Sequence, residues 1–303
     1  HLLSLYRRTE FARVMDHILT DRGARATIVG ATSGDTGSAA IEAFRGRDNI
    51  DIFIMHPEGR TSDVQRRQMT TVADANVHNI AVRGNFDDCQ NIVKDLFANA
   101  RFRERVRLSG VNSINWGRIV AQIVYYFTAA VSLGAPYRPV TFVVPTGNFG
   151  DILAGYSAKR MGLPIEKLVI ATNANDILAR TLETGRYEVA GVTPTSSPSM
   201  DIQVSSNFER LLFEALGRDA EGLQRLMQGL AQSGGFSVPA GALEAIRGDF
   251  AAGRADEQAT RDTIGTVLAK AGYLPDPHTA VGISVAAAHL GGASPVITLA
   301  TAH

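Results

Sequence analysis

Short apolar runs rich in valine and isoleucine recur along this chain, with helical patterns between them. Six such runs can be read from the 303-residue sequence: RATIVGA, DIFIMH, VHNIAVRG, VTFVVPTG, KLVIATN and PVITLAT. Strands that are apolar throughout are buried on both faces, as in parallel sheets covered by helices. The pattern predicts an α/β fold with a mostly parallel sheet, and a helical region at about residues 205–272.

Composition narrows the classes of function. The chain is 45% apolar and 20% charged, which suits one or two globular domains. Its 30 basic and 30 acidic residues balance, so the overall charge does not favour nucleic acid or an anionic membrane as a partner. Cys89 is the single cysteine, which excludes an intrachain disulfide and a cysteine-rich metal site. With no apolar run long enough to span a bilayer, we expect a cytoplasmic protein that acts on small molecules without a metal.

One glycine-rich turn joins a predicted strand to a predicted helix in PTGNFGD, which contains Gly147, Asn148 and Gly150. Backbone N–H groups and the positive end of the following helix converge at such a turn. Glycine lets the backbone approach a ligand closely, and Asn148 adds a side-chain donor. The segment predicts an anion site, although a strand-to-helix turn without a ligand can have the same pattern.

A second strand-turn-helix segment, IVGATSGDTGSAAIEAF, carries Ser33, Thr36 and Ser38 among its glycines. Hydroxyl and backbone donors together can bind a carboxylate or a phosphate. The glycine spacing is G-x-x-x-G-x-x-G, not the dinucleotide-binding G-x-G-x-x-G, and none of the four lysines follows a tyrosine by four residues. This weakens a nicotinamide-binding interpretation. Two anion turns favour a phosphorylated cofactor beside an anionic substrate, and pyridoxal phosphate with an amino acid meets that description.

Longer motifs closely resemble the long-chain threonine synthases, which are pyridoxal-phosphate enzymes of the tryptophan synthase β-like fold. In the family's order, they are GATSGDTGSAAIEAF, HPEGRTSDVQRRQMTT, FDDCQNIVKDLF, NSINWGRI, VPTGNFGDILAGY, SPSMDIQVSSNFERLLFEALGRD and GYLPDPHTAVG. The resemblance implies conversion of O-phospho-L-homoserine and water to L-threonine and phosphate, with pyridoxal 5'-phosphate as cofactor. We expect two sheet domains, residues 1–112 and 113–303, in a monomer or homodimer.

The resemblance also assigns roles to individual residues of this sequence. The cofactor phosphate is assigned to Gly147, Asn148, Phe149 and Gly150, and the pyridine nitrogen to Thr301. The substrate's amino-acid end is assigned to the turn of Ser33, Gly34, Asp35 and Thr36. The substrate phosphate is assigned to Asn112, Ser113, Asn115 and Arg118.

Three further residues keep alternative interpretations. His278 either lines the site or has a capping or core role. Asp201 and Asn207 either order a loop near the cofactor or have no such role. The loop GVTPTSSPSMD, residues 191–201, is long enough to be a functional candidate.

The chain departs from the family at the lysine that forms a Schiff base with the cofactor. That lysine lies in an F-K-D segment just before the helix that corresponds here to FARVMDHIL. This chain instead reads HLLSLYRRTEF, and ungapped alignment places Ser4, within one residue, at the lysine's position. No lysine occurs before Lys94, which is distant in sequence from both anion turns. The sequence therefore assigns no catalytic residue.

Three alternatives follow from the missing lysine. The chain is a threonine synthase without an intact N-terminus, or a lysine-free paralogue that binds pyridoxal phosphate or a phosphorylated amino acid without turnover. The third alternative is a related lyase or synthase of the same fold with another substrate. General acid–base catalysis is commonly worth about 10² to 10⁴ in rate, so we expect turnover by this chain alone to be strongly reduced.

Overall fold

A computed structural model describes residues 2–32, 35–59, 61, 63–84, 86–110 and 115–300. The chain divides into two compact units, His1–Ala121 and Gln122–His303. The division falls inside a helix, Trp116–Ser132. The predicted domain boundary after residue 112 stays a prediction.

The first unit is built on a parallel sheet. Its strands are β1 (Ala26–Ala31), β2 (Ile50–Pro57), β3 (Val77–Val82) and β4 (Leu108–Gly110). Their order is β3-β2-β1-β4, and every pairing is parallel. The helices of this part of the chain are α1 (Leu2–Asp21), α2 (Asp35–Phe44), α3 (Asp63–Thr70), α4 (Phe86–Ala98), α5 (Ala100–Arg105) and the start of α6 (Trp116–Ser132).

Apolar residues on both faces of this sheet explain the unbroken valine and isoleucine runs. Ile28 of β1 lies in one buried cluster with Ile41 of α2. Its neighbour Val29 lies in another cluster with Cys89 and Val93 of α4. Successive side chains of a strand point to opposite faces. The sheet is therefore covered on one face by α2 and on the other by α4.

The second unit has a parallel sheet and an antiparallel pair. The parallel strands are β5 (Val140–Pro145), β6 (Ile165–Thr172), β9 (Phe250–Arg254) and β10 (Val296–Thr298), in the order β10-β5-β6-β9. The antiparallel pair is β7 (Arg186–Glu188) with β8 (Gly235–Ser237). The helices are α7 (Gly150–Arg160), α8 (Ile177–Thr184), α9 (Phe208–Ala215), α10 (Ala220–Ser233), α11 (Ala240–Asp249), α12 (Glu257–Ala271) and α13 (Pro277–Ala286).

The predicted α/β class with mostly parallel sheets is confirmed, and residues 205–272, predicted as a helical region, are mostly helical but include two short strands. The segment contains β8, and it also contains β9, which pairs with β6 at the edge of the main sheet. The sequence of β9 is FAAGR, which contains no β-branched residue and carries a weak strand signal. Tertiary pairing with β6, and not local propensity, makes this segment a strand.

Gly155 allows α7 to pack on two buried side chains. A Cβ at this position would lie 2.6 Å from Cε1 of Tyr126 and 2.9 Å from Cδ2 of Leu168. Tyr126 and Leu168 are both fully buried. Neither can move without disturbing the core, so α7 needs a residue without a side chain here.

We predict that Gly155→Ala lowers the free energy of unfolding by about 1 to 3 kcal/mol, because it overpacks this contact. The matched control is Gly265→Ala in α12, where nothing lies within 4 Å of the added Cβ. The control should raise stability by about 0.5 to 1 kcal/mol through helix propensity. Urea unfolding of both variants tests this, and equal stabilisation by both would contradict the packing account.

Candidate functional site

The predicted anion turn lies at the carboxyl end of β5, a strand with all six positions buried. β5 lies between β10 and β6, and ligands of open α/β sheets bind at the carboxyl ends of such strands. The N–H of Thr146 donates to the carbonyl of Ala171 at 2.8 Å. This bond ties the start of the turn to β6 before the chain enters α7.

Hydrogen bonds from a later segment hold two carbonyls of the turn. Ser205 Oγ donates to the carbonyl oxygen of Gly147 at 2.7 Å. The carbonyl of Asn148 accepts from Asn207 twice, from its backbone N–H at 3.0 Å and from Nδ2 at 3.1 Å. The orientations of two successive peptide groups are thereby fixed.

Phe149 completes the turn in a left-handed conformation, with φ of 65°. Its buried ring packs edge-on against Phe208, with 5.5 Å between ring centroids. Non-glycine residues rarely have positive φ, and packing of the ring stabilises the conformation here. Gly147 is required for a different reason, because a Cβ there would lie 2.8 Å from the carbonyl oxygen of Ser199.

The turn leaves backbone donors without protein acceptors. Among the residues that the structure describes, the N–H groups of Gly147, Asn148 and Phe149 donate to no protein atom. The N–H of Gly150 instead donates to Asn148 Oδ1 at 2.9 Å. Three uncommitted donors at the N-terminus of an 11-residue helix fit an anion. Of the four residues predicted for this role, Gly150 therefore contributes the helix start and not a free N–H.

A carboxylate in the first turn of α7 is held by other groups. Asp151 accepts hydrogen bonds from the hydroxyls of Tyr125 and Tyr126. Burial and then the nearby Asp151 charge raise the pKa of Tyr126 well above its ordinary value. Tyr126 therefore remains a neutral donor at physiological pH. The two hydroxyls stabilise a negative charge that would otherwise oppose an anion at the same helix end.

Residues 191–201, the long loop of the sequence, are folded onto the carboxyl end of β6. Asn173 Nδ2 donates to Thr195 Oγ1 at 2.8 Å and to Asp201 Oδ1 at 2.8 Å. Asn175 Nδ2 donates to Asp201 Oδ1 at 2.9 Å and to the carbonyl of Thr193 at 2.8 Å. Asp201 thus orders this loop.

His278 connects the same loop to α13. Its Nε2 accepts from the N–H of Ser199 at 3.2 Å, so its Nδ1 carries the proton and faces Asp276 Oδ1 at 3.1 Å. Asp276 caps α13 by accepting from the N–H groups of His278 and Thr279 at 2.9 and 3.2 Å. Of the two interpretations from sequence, the capping and core role fits these contacts.

The second predicted anion turn lies only partly in the described residues. Ser33 and Gly34 lie outside them, while Asp35 and Thr36 are the first two residues of α2. The N–H of Gly37 donates to Thr32 Oγ1 at 2.9 Å, and a Cβ at Gly37 would lie 2.4 Å from Thr32 Cγ2. Gly37 therefore allows Thr32 to pack closely against the first turn of α2.

The predicted substrate-phosphate residues have different environments. Asn112 and Ser113 lie outside the described residues, as does Thr301. Asn115 caps α6: its Oδ1 accepts from the N–H of Gly117 at 2.9 Å, and its Nδ2 donates to the carbonyl of Gly110 at 3.0 Å. Its side-chain contacts are structural.

Arg118 is a half-buried cation that has no counterion among the described residues. Burial lowers the pKa of its guanidinium below the ordinary value. In the part of the chain that the structure describes, this guanidinium forms no hydrogen bond or ion pair. A desolvated charge is costly unless it is paired, so this guanidinium is a candidate for binding an anion.

No lysine takes the place of the missing one near the β5 turn. Lys159 pairs with Asp249 at 2.7 Å, and Lys167 Nζ donates to the carbonyls of Arg247 and Gly248 at 3.2 and 2.8 Å. Ser4 lies in α1, of which the structure describes the backbone at this position. Lys159 of α7 and Lys167 of β6 are thus engaged by other groups.

The described residues contain no helix with the length and apolar character needed to cross a membrane. Across those same residues, no cluster of three or more histidine, cysteine, aspartate or glutamate side chains is placed to hold a metal ion.

Comparison with known proteins matches residues 3–302 to the family described as pyridoxal-phosphate dependent enzymes. The chain belongs to that family. It is 54% identical over 292 residues to a threonine synthase of Pseudomonas aeruginosa, covering 96% of this chain and 62% of that protein. The chain therefore spans less than two thirds of the length of this relative.

Solved threonine synthase structures have the fold of this pyridoxal-phosphate family member. A pyridoxal-phosphate-bound threonine synthase from Brucella melitensis superposes with a TM-score of 0.92 at 64% identity, covering 98% of this chain and 64% of that one. The yeast enzyme gives 0.88 at 42% identity, covering 99% of this chain and 64% of that one. The predicted resemblance and the tryptophan synthase β-like fold class are confirmed.

Sequence reasoning for this family member did not find the groups that hold the turn. Ser205 lies 58 residues from Gly147, and its motif SSNFER contains no local signal for such a bond. Tyr187, whose hydroxyl accepts from the N–H of Ser205 at 2.7 Å, was likewise missed. A buried tyrosine with a polar tip needs a partner, but the sequence alone does not show that Tyr187 is buried.

Asp276 provides a pH-dependent test of the α13 cap. Burial raises the pKa of Asp276, but hydrogen bonds from the His278 and Thr279 side chains and the Thr279 N–H outweigh burial and lower it overall. A carboxylate with a lowered folded-state pKa stabilises the fold above its unfolded pKa, and this contribution disappears as pH falls through the folded pKa.

We therefore predict that Asp276→Asn lowers the melting temperature at neutral pH, and that the difference from the unsubstituted protein narrows below about pH 4. Asp262→Asn, on the exposed face of α12, is the control and should change the melting temperature only slightly. Thermal unfolding from neutral to acid pH measures both. A constant deficit for Asp276→Asn at every pH would contradict the ionised cap.

Proposed function

We propose that this chain is the cofactor- and substrate-binding part of a threonine synthase, which converts O-phospho-L-homoserine and water to L-threonine and phosphate. The observation that carries the proposal is the 54% identity over 96% of the chain to a protein of that name. The family membership of residues 3–302 supports pyridoxal 5'-phosphate as the cofactor. We further propose a cytoplasmic monomer or homodimer.

The cofactor phosphate is assigned to the turn after β5. Three N–H groups without protein acceptors, those of Gly147, Asn148 and Phe149, supply the donors. The helix dipole of α7 adds a positive potential. A phosphate ester fits this donor set better than a neutral ligand does, because charge-assisted hydrogen bonds are stronger than neutral ones.

The substrate phosphate is assigned to Arg118, whose half-buried guanidinium has no protein counterion among the described residues. A guanidinium can bind a phosphate through two parallel N–H donors. Ser33, Gly34, Asp35 and Thr36 are proposed for the amino-acid end of the substrate, with Asn112, Ser113 and Asn115 near its phosphate. Thr301 is proposed for the pyridine nitrogen of the cofactor.

When bound, pyridoxal phosphate withdraws electrons from the substrate carbon next to the amine. The residues of the chain bind and orient the reactants, since a positioned C–H bond loses its proton more readily. The proton transfers need a base, and the chain offers no lysine before Lys94. We therefore assign no catalytic base, and propose that turnover requires a lysine outside this sequence.

The second candidate function is a lysine-free protein of the same family that binds pyridoxal phosphate or a phosphorylated amino acid without turnover. The observation that favours it is Ser4 at the aligned position of the lysine. The two candidates differ in a measurable product. Phosphate release from O-phospho-L-homoserine, in the presence of bound pyridoxal phosphate, supports an enzyme, and binding without release supports the alternative.

We predict that incubation with pyridoxal phosphate followed by borohydride gives no lysine that is modified reproducibly and at high occupancy. The reason is that Lys159 and Lys167 are held by Asp249 and by backbone carbonyls, while Lys94 and Lys270 are exposed side chains of α4 and α12. Peptide mass spectrometry reads the outcome. A single fully modified lysine would show that the chain carries its own attachment site, and would contradict the lysine-free assignment.

We also predict that Arg118→Gln weakens binding of O-phospho-L-homoserine by about 10- to 100-fold, the range expected when a hydrogen bond to a charged group is lost. Binding of L-homoserine, which lacks the phosphate, should remain unchanged. Arg101→Gln, an exposed arginine of α5, is the matched control. Calorimetric titration of both ligands into the unsubstituted protein and the two variants measures these affinities, and equal loss for the two ligands in Arg118→Gln would exclude Arg118 as a phosphate ligand.

A further inference from the structure

We infer that Ser205 and Asn207 are positioning residues that aim the anion-binding N–H groups of the β5 turn without touching the anion themselves. This inference rests on the proposed function of that turn. It concerns two residues that lie 55 or more positions after the turn and that donate hydrogen bonds to its carbonyl groups.

The geometry of the trans peptide couples each carbonyl of the turn to the N–H of the next residue. A peptide group is planar, and its carbonyl and N–H point in opposite directions. The carbonyl of Gly147 shares a peptide group with the N–H of Asn148, and the carbonyl of Asn148 shares one with the N–H of Phe149. Ser205 holds the first carbonyl at 2.7 Å, and Asn207 holds the second through two bonds. Each bond therefore turns one N–H away from the protein and toward the anion.

The position of Ser205 is itself held by other groups. Its N–H donates to the hydroxyl of Tyr187 at 2.7 Å. The Tyr187 ring stacks between Phe208 and Phe236, with centroid distances of 5.5 and 4.9 Å. Tyr187 and Ser205 are both buried. The hydroxyl of Ser205 therefore reaches the carbonyl of Gly147 from a rigid support.

Asn207 has a comparable support. Its Oδ1 accepts from Arg210 at 2.8 Å, which leaves Nδ2 directed at the carbonyl of Asn148. The side chain is fully buried at the start of α9. Its backbone N–H bonds the same carbonyl, so substitution of the side chain removes one of two bonds, whereas substitution of Ser205 removes its only bond to the turn.

The test compares pyridoxal 5'-phosphate with pyridoxal, which lacks the phosphate. For the unsubstituted protein we expect tighter binding of the phosphate ester. In Ser205→Ala, the dissociation constant of the phosphate ester should rise about five- to tenfold, as for loss of one hydrogen bond, while that of pyridoxal stays the same. Ser205→Cys, with a similar size and a weak donor, should behave like alanine.

The matched control is Ser157→Ala. Ser157 Oγ also donates to a backbone carbonyl, that of Leu153 at 2.9 Å, but further along α7. Both dissociation constants should remain unchanged in this variant. Circular dichroism and thermal unfolding establish whether each variant is folded. If Ser205→Ala does not fold, Asn207→Ala takes its place, because that variant keeps the backbone hydrogen bond to the carbonyl of Asn148.

The outcomes separate the inference from the proposed function. If the unsubstituted protein does not prefer the phosphate ester over pyridoxal, the proposed function of the turn is wrong. If it does prefer the ester and Ser205→Ala retains that preference, the positioning role is wrong. Equal weakening of both ligands in folded Ser205→Ala would also overturn the inference, because a merely structural role predicts that result.

Discussion

The proposed anion site depends on the direction of two peptide groups after β5. Backbone N–H groups form an anion site only when they converge on one point, and an isolated glycine-rich segment has no reason to hold them there. In this chain the carbonyls of Gly147 and Asn148 accept hydrogen bonds from Ser205 and Asn207. The left-handed Phe149 and the absence of a side chain at Gly147 complete the same arrangement.

Support for the turn comes from segments far apart in sequence. Asn173 and Asn175 follow β6 and hold Asp201, while His278 at the start of α13 holds Ser199. The buried amides of Asn173 and Asn175 and the buried imidazole of His278 are paired with the half-buried carboxylates of Asp201 and Asp276, as low-dielectric surroundings require. These hydrogen bonds hold the loop in place without a ligand, and a preorganised site lowers the entropic cost of binding.

The parallel strands and the position of the β5 turn could be predicted from the sequence. Val- and Ile-rich runs gave the parallel strands, because a strand buried on both faces needs apolar residues at every position. The position of the β5 turn followed from glycine spacing. The strand β9 was not predicted, since FAAGR carries only a weak strand signal and depends on pairing with β6. The partners Ser205 and Tyr187 were also not predictable, because no local pattern records a contact made across 58 residues.

The most direct test of the central claim is an amide NMR titration of the isotope-labelled chain with pyridoxal 5'-phosphate. We predict that the N–H resonances of Asn148 and Phe149 move strongly downfield as phosphate oxygens accept from them, while that of Gly150, bonded to Asn148 Oδ1, moves little. Saturable binding of pyridoxal 5'-phosphate that leaves the resonances of Asn148 and Phe149 unmoved would show that this turn does not hold the phosphate.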